Sequence, residues 1–278
     1  MEQYAENLSE YQQAFLKKYP CPQLFAVISW GCAATAWIAR VLNRHPDIYC
    51  VHATNVHWHT LGDVEKLDGV SYLRIVGSQG HAHLAAGDVH GVSRHCIPEC
   101  RRAFGDKFNA VVVVREPLPR LQSQLALYRD FEGFHVWDLE YLEALLARKS
   151  IVLGPADYES RLFVHAANML NAILDEHEVG KIYRSEDLTS NSEALGAFVE
   201  EITRGKVSPA FEWLQSAIQT RRVNVHSGRR PIGELSEWQI DVVRKVVDPR
   251  AWDMYESLGY ARPDFVAGSA GTKETVSV

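Results

Sequence analysis

The sequence has no excess of positive charge: 29 Lys and Arg stand against 35 Asp and Glu, a formal net charge of −6 at pH 7. Such a balance leaves no general basic surface, so neither nucleic acid nor an anionic membrane is expected as a partner. A small basic pocket for one anionic ligand is still allowed. Long hydrophobic runs are also missing. The longest uncharged stretch, CPQLFAVISWGCAATAWIA, is diluted by Pro, Gly, Ser, Gln and Thr and is too polar for a membrane span. The acidic, polar opening MEQYAENLSEYQQAF does not read as a signal peptide. Cysteine is sparse: Cys21, Cys32, Cys50, Cys96 and Cys100 are odd in number and share no repeated spacing, so no disulfide framework is expected. The nucleotide-triphosphate loop GxxxxGKS/T is absent, which removes a kinase or GTPase reading. What remains is a cytoplasmic enzyme of ordinary composition, with 46% hydrophobic and 23% charged residues in 278. That length allows one large domain or two small ones.

The pattern along the chain alternates. Tyr4, Leu8, Tyr11 and Phe15 recur at helical spacing. LFAVIS (24–29) and IYCVHA (48–53) read as strands, and between them ATAWIARVLNRH reads as a helix ending before Pro46. Residues 54–109 are rich in Gly and His and resist assignment, apart from a short helix near IPECRRAF. AVVVVRE (110–116) is the clearest strand, with the β-branched composition of a strand buried on both faces. A helix from about Pro119 to Tyr128 follows it. YESRLFVHAANMLNAILDEH then reads as one long helix, KIYRSE as a strand and SEALGAFVEEITR as a helix. A last helix starts at Ser236 and is interrupted at Pro249. The expectation is an α/β three-layer sandwich on a central parallel sheet, a single domain over 1–262, with a disordered polar tail over 263–278.

In such folds ligands sit at the carboxyl ends of the strands, and two loops fall there. After LFAVIS, the residues Gly31, Cys32, Ala33, Ala34, Thr35 and Ala36 are all small, so an anion can approach the backbone amides at the start of the helix. Close packing alone also explains small residues here. After AVVVVRE, Arg115 and Ser123 form a possible oxyanion clamp, with a bidentate guanidinium and a neutral hydroxyl. The alternative is that Arg115 pairs with Glu116 or another carboxylate.

In order, these pieces resemble the sulfotransferase family that uses 3′-phosphoadenosine 5′-phosphosulfate (PAPS). GCAATAWIARVLNRHP is similar to the family's first loop and helix, matching at Thr35, Trp37, His45 and Pro46. VVVVREPLPRLQS is similar to its Arg-Asn/Asp-Pro signature through Arg115, Pro117 and Ser123. KIYRSEDL resembles its strand-Tyr-Glu-Asp-Leu segment through Glu186, Asp187 and Leu188, and NVHSGRRPIGELSEWQ with YESLGY resembles its C-terminal section. The resemblance runs from about residue 24 to residue 260 and implies a P-loop-NTPase-like sulfotransferase fold.

The resemblance implies PAPS as co-substrate, no metal, and transfer of a sulfuryl group to a hydroxyl or amine of a small molecule or glycan. Backbone amides of Cys32, Ala33, Ala34, Thr35 and Ala36 would hold the 5′-phosphosulfate, with the Thr35 hydroxyl. Trp37 would stack on adenine, unless it serves as an apolar core residue. Arg115 and Ser123 would clamp the 3′-phosphate, and Arg229 and Arg230 are further phosphate ligands or solvated surface charge. The loop departs from the family at Cys32, where Lys or Arg is usual, at Ala34, which replaces Gly, and at Ala36, which replaces Thr. Arg40, Arg74, Arg94, Arg222 and Arg229 are candidates for the missing charge. SRHCIP is comparable to a Lys-Thr-His-Leu-Pro segment whose His is the base in one branch of the family. That makes His95 the first choice for base, with His90 and His52 next as base or substrate-pocket residues. Trp58 and Tyr72 are possible aromatic walls of that pocket.

Two alternatives stay open. One is a catalytically inactive or repurposed member of the fold. The other is a metal enzyme built on the histidines at 52, 57, 59, 81, 83, 90 and 95, although their spacing matches no zinc signature.

Overall fold

The protein is described here by a computed structural model over residues 21–29, 32–52, 68–130, 139–151, 158–220 and 235–267. The apolar runs become strands wherever helices can cover both faces. β1 (Gln23–Ile28) is buried along its whole length and β4 (Phe108–Val114) from Ala110 onwards. β1 pairs in parallel with β4 on one side and with β3 (Ala85–Val89) on the other. β2 (Ile48–His52) lies outside β3, and β5 (Ile182–Arg184) outside β4. Among the described residues this is one all-parallel sheet in the order β2-β3-β1-β4-β5, the α/β architecture that the alternating pattern predicts. The chain leaves β1 towards one edge and leaves β3 towards the other. The carboxyl end of β1 therefore sits where the crossovers part, the usual place for a ligand in an open parallel sheet.

Contacts divide the chain into two units, Met1–Val114 with Val179–Asn224, and Arg115–Glu178 with Val225–Val278. The first contains the sheet. Its helices are α1 (Thr35–Leu42), α2 (Gly69–Gln79) and α3 (Ile97–Phe104), with α8 (Ser185–Ser190), α9 (Ser192–Ile202) and α10 (Phe211–Ile218) after the second unit. Trp37, Ile38 and Leu42 of α1 and Leu195, Phe198 and Ile202 of α9 share one core with Phe25, Val27, Val111 and Val113. The opposite face carries Leu24 and Ala86, which lie against Gly77 and Gly80 at the end of α2.

The second unit is helical over its described residues: α4 (Pro117–Asp130), α5 (Leu139–Arg148), α6 (Tyr158–Asn168), α7 (Ile173–Glu176), α11 (Glu237–Val246), α12 (Pro249–Ser257) and α13 (Asp264–Ala267). The Asn171 amide ties two of its segments together, donating to the Val246 carbonyl and accepting from the Asp248 amide. Phe163 packs against Trp238, ring centroids 5.8 Å apart. α11 opens with a full capping box, Ser236 and Gln239 exchanging side chain–backbone bonds.

Several elements differ from the sequence reading. The long helix over 158–177 is split by a 3-10 segment, Met169–Ala172, at the point where Asn171 reaches out to other backbone. The KIYRSE strand stops at Arg184, because Ser185 already begins α8. Residues 264–267 of the expected disordered tail form α13. The N-terminal helix expected around Tyr4 to Phe15 lies outside the described residues.

Candidate functional site

α1 starts from an unusual backbone. Cys32 (φ 56°) and Ala34 (φ 60°) both occupy the left-handed region, at a cost of about 1–2 kcal/mol each for a residue with a Cβ. Ala34 is the N-cap and contributes no side-chain cap bond. Geometry leaves the first amides of any helix without an intrahelical acceptor, so the amides of Thr35, Ala36 and Trp37 converge at the end of the helix. Ala33 and Ile38 are buried in the core and hold this strained turn from beneath. A non-Gly backbone kept in this region by its surroundings is a frequent mark of functional loops. It also resembles the concave amide arrangement that binds anions.

Thr35 is buried and its Oγ1 lies 3.1 Å from His52 Nε2. His52 is the last residue of β2, and His90 follows directly on β3. The two rings lie with centroids 6.2 Å apart. Burial, reinforced by neighbouring His90, pulls the His52 pKa down from 6.5 to about 4, so His52 is a neutral imidazole at pH 7. His90 also has a left-handed backbone (φ 74°). Its amide donates to Val27 O at 2.9 Å and its Nδ1 lies 2.5 Å from Ser29 O. A carbonyl oxygen only accepts, so Nδ1 carries the ring proton and the lone pair of neutral His90 lies on Nε2.

Beside His90 is a residue that sequence reasoning did not single out. Asp88 is buried, accepts from the Tyr72 hydroxyl at 3.1 Å and from the Gly91 amide at 2.5 Å. Burial raises its pKa from 3.8 to about 7, against the two donors, which favour the charged form. Tyr72 is buried by the same contact, and burial followed by the Asp88 charge raises its phenol pKa. It therefore serves Asp88 rather than standing as an open pocket wall. The sequence did carry a sign of this turn, an Asp three residues before a Gly, but the surrounding strand was not legible.

The other expected residues are placed as follows. His95 is exposed on a 3-10 turn, Arg94–Cys96, with its amide 3.4 Å from Ser93 Oγ. Trp37 is 1% exposed within the core, and its indole N–H donates to Thr220 O at 3.0 Å. Of its two possible roles the structure thus shows the core role, since a ring enclosed by side chains presents no face to adenine. Arg40 is in the last turn of α1, at the far end of the helix from the loop. Arg74 is on α2 and Arg94 on the 3-10 turn. Arg222, Arg229, Arg230, Trp58, His57 and His59 lie outside the described residues.

In the second unit, Arg115 Nη1 donates to Ser123 Oγ at 2.7 Å. Arg115 is half-buried and Ser123 buried on α4. The spacing of eight residues therefore joins the guanidinium and hydroxyl that the sequence reading paired. Arg120, one turn before Ser123, is buried and donates to the Tyr255 hydroxyl at 3.2 Å. Tyr255 passes the chain on to Leu170 O at 3.2 Å.

Among the described residues, the histidines at 81 and 83 have partners of their own. His81 Nδ1 meets Ser78 O at 2.9 Å, and His83 packs against the Tyr49 ring. Among the described residues, no group of three or more His, Cys, Asp or Glu side chains is disposed to hold a metal ion. Nor, among them, is any helix long and apolar enough to cross a membrane.

No protein-family model and no curated protein matches the chain. Two solved structures to which it is similar are both sulfotransferases. One is the sulfotransferase from Alicyclobacillus acidocaldarius, at 15% identity and a TM-score of 0.42, covering 88% of this chain and 98% of that one. The other is mouse sulfotransferase SULT7A1 complexed with PAP, at 15% identity and a TM-score of 0.39, covering 94% of this chain and 87% of that one.

Proposed function

We propose that the protein is a PAPS-dependent sulfotransferase that sulfates a hydroxyl or amine of a small molecule or glycan, with His90 as the general base. The observation that carries this reading is the group Thr35, His52 and His90 at the start of α1, on a strained backbone turn whose amides favour an anion. The Arg115–Ser123 pair supports a second, separate role in holding the 3′-phosphate. PAPS would supply a sulfuryl group activated by its sulfate–phosphate anhydride.

This chain's residues would do the rest. The amides of Thr35 and Ala36 and the Thr35 hydroxyl hold the 5′-phosphosulfate oxygens and stabilise charge as it moves onto the leaving phosphate. His52, neutral and hydrogen-bonded to Thr35, fixes that hydroxyl. His90 takes the acceptor's proton on Nε2 as the acceptor oxygen or nitrogen bonds to sulfur in one displacement. His90 is preferred to His95 because it adjoins the loop through Ser29, whereas His95 is solvent-facing on its turn.

Calorimetry with 3′,5′-ADP is the test of nucleotide recognition, with 5′-AMP as the control lacking the 3′-phosphate. Tight binding of 3′,5′-ADP and much weaker binding of 5′-AMP is expected; equal or absent binding rejects the reading. Radiolabelled sulfuryl transfer from PAPS to a panel of phenols, amines and sugars then tests activity. A second reading is favoured by one observation, the uncharged side chain at Cys32: nucleotide binding without transfer. Bound 3′,5′-ADP with no labelled product across the panel is the outcome it predicts.

A further inference from the structure

His90 is useful as a base only if its proton sits on Nδ1 and its lone pair on Nε2. Free histidine favours the opposite tautomer, so something in the fold must hold the ring on Ser29. The His90 backbone is left-handed, a conformation uncommon outside glycine. It is bracketed on one side by its own amide bond to Val27 O. On the other side is the Gly91 amide, which reaches both carboxyl oxygens of Asp88, at 2.5 and 3.2 Å. Asp88 is anchored in turn by its register opposite Ala26 of β1 and by the Tyr72 hydroxyl. The closure is tight: a Cβ at residue 91 would lie 2.4 and 2.5 Å from the two carboxyl oxygens, so the carboxyl would have to move.

We propose that Asp88 is a positioning residue for the base: by closing the 88–91 turn onto the Gly91 amide it keeps His90 Nδ1–H on the Ser29 carbonyl and so keeps the ring's lone pair on Nε2. Asp88 touches neither His90's ring nitrogens nor the reacting atoms in this scheme. It acts through the backbone on either side of His90. The inference rests on the reading of His90 as base for its use in the reaction, but not for the tautomer itself.

The test is nitrogen-detected NMR of the intact protein labelled at histidine, which reads the tautomer with or without activity. In the wild type, His90 is expected as the Nδ1–H tautomer. Asp88→Ala is expected to convert it to mainly Nε2–H and, in a transferring enzyme, to lower kcat about ten- to a hundredfold with KM for the donor little changed, a fraction of what a general base contributes. Asp88→Asn keeps an acceptor oxygen for Gly91 and is expected to keep the Nδ1–H signature, and with it the rate. Gly91→Ala leaves Asp88 in place but forces the carboxyl away, and should reproduce the alanine variant. Should Asp88→Ala fail to fold, Gly91→Ala and Asp88→Asn carry the comparison. An Nε2–H signature in the wild type, or an Nδ1–H signature surviving in Asp88→Ala or Gly91→Ala, overturns the proposal. A protein that transfers no sulfuryl group but shows these tautomer changes upholds the positioning and rejects the reaction.

Discussion

Lowering the pH should remove the stability that a neutral His52 contributes, whatever other groups do over the same range. His52 is 5% exposed at the end of β2, and its folded pKa is about 4 against an ordinary 6.5. Between those values the unfolded chain binds the proton and the folded one does not, so stability rises with pH across this window. The contribution is complete above about pH 6.5 and is lost as the pH falls towards about 4. The full span is about 2.5 pK units, or about 3.4 kcal/mol, and at pH 5 the loss amounts to about 2 kcal/mol. Urea unfolding at pH 7.5 and pH 5 measures it, in the wild type and in His52→Gln, which keeps a polar group near Thr35 and cannot titrate. The wild type should lose about 2 kcal/mol more than the variant over that interval. Proton NMR of the His52 ring gives the independent value. A titration near 6.5, or the same pH dependence in both proteins, refutes the buried neutral imidazole and with it the account of how Thr35 is oriented.

The remaining expectations concern the loop, the core, the Arg115–Ser123 pair and the choice of base. Ala34→Gly removes a Cβ from a left-handed residue and should stabilise the protein by about 0.5–1 kcal/mol in the same unfolding assay; destabilisation would mean that the Ala34 methyl contributes packing that outweighs the strain. Trp37→Ala should cost about 3–5 kcal/mol of stability as a core deletion, measured by denaturant unfolding without ligand, whereas an adenine-stacking residue would leave that value nearly unchanged. Arg115→Lys cannot make the bidentate contact, so the preference for 3′,5′-ADP over 5′-AMP in calorimetry should shrink at least tenfold while 5′-AMP binding stays as it was. His90→Ala should lower kcat by about a hundredfold or more, and His95→Ala should leave it within a factor of a few; the reverse ranking restores His95 as the base.

The legible parts of the sequence were those in which one residue type repeats for one physical reason. VVVV in β4 could only be a doubly buried strand, and the eight-residue spacing of Arg115 and Ser123 paired two side chains whose hydrogen bond is present. The region from 54 to 109 was illegible because its strand is built against propensity. β3 reads Ala-Ala-Gly-Asp-Val, with Gly87 required because the Phe25 ring lies 2.4 Å from where its Cβ would be. Glycine and aspartate are depleted from strands, so only the tertiary neighbours make this segment one. α2 was hidden similarly, its helical stripe of Tyr72, Leu73 and Val76 diluted by three glycines at positions 69, 77 and 80. With β3 unread, His90 could not be seen as the residue at a strand end, and the likeness of SRHCIP to a Lys-Thr-His-Leu-Pro segment put His95 first.

In the proposed transfer, Cys32 supplies none of the charge that Lys or Arg brings to this loop in the family it resembles. A lysine in such a loop is a mobile, strongly hydrated point charge, which must be desolvated and ordered as charge develops on the leaving phosphate. The groups present here are of another kind. They are amides at a helix start, equivalent to roughly half a positive charge, and a threonine hydroxyl held by a neutral histidine 3.1 Å away. Each is fixed by the fold before any ligand arrives: Ala33 by burial in the core, and Thr35 by its hydrogen bond to His52. Fixed dipoles need no reorganisation at the moment of reaction, which is where oxyanion-hole donors gain their advantage, about 10²–10³ in kcat for one donor. They do not neutralise a full charge.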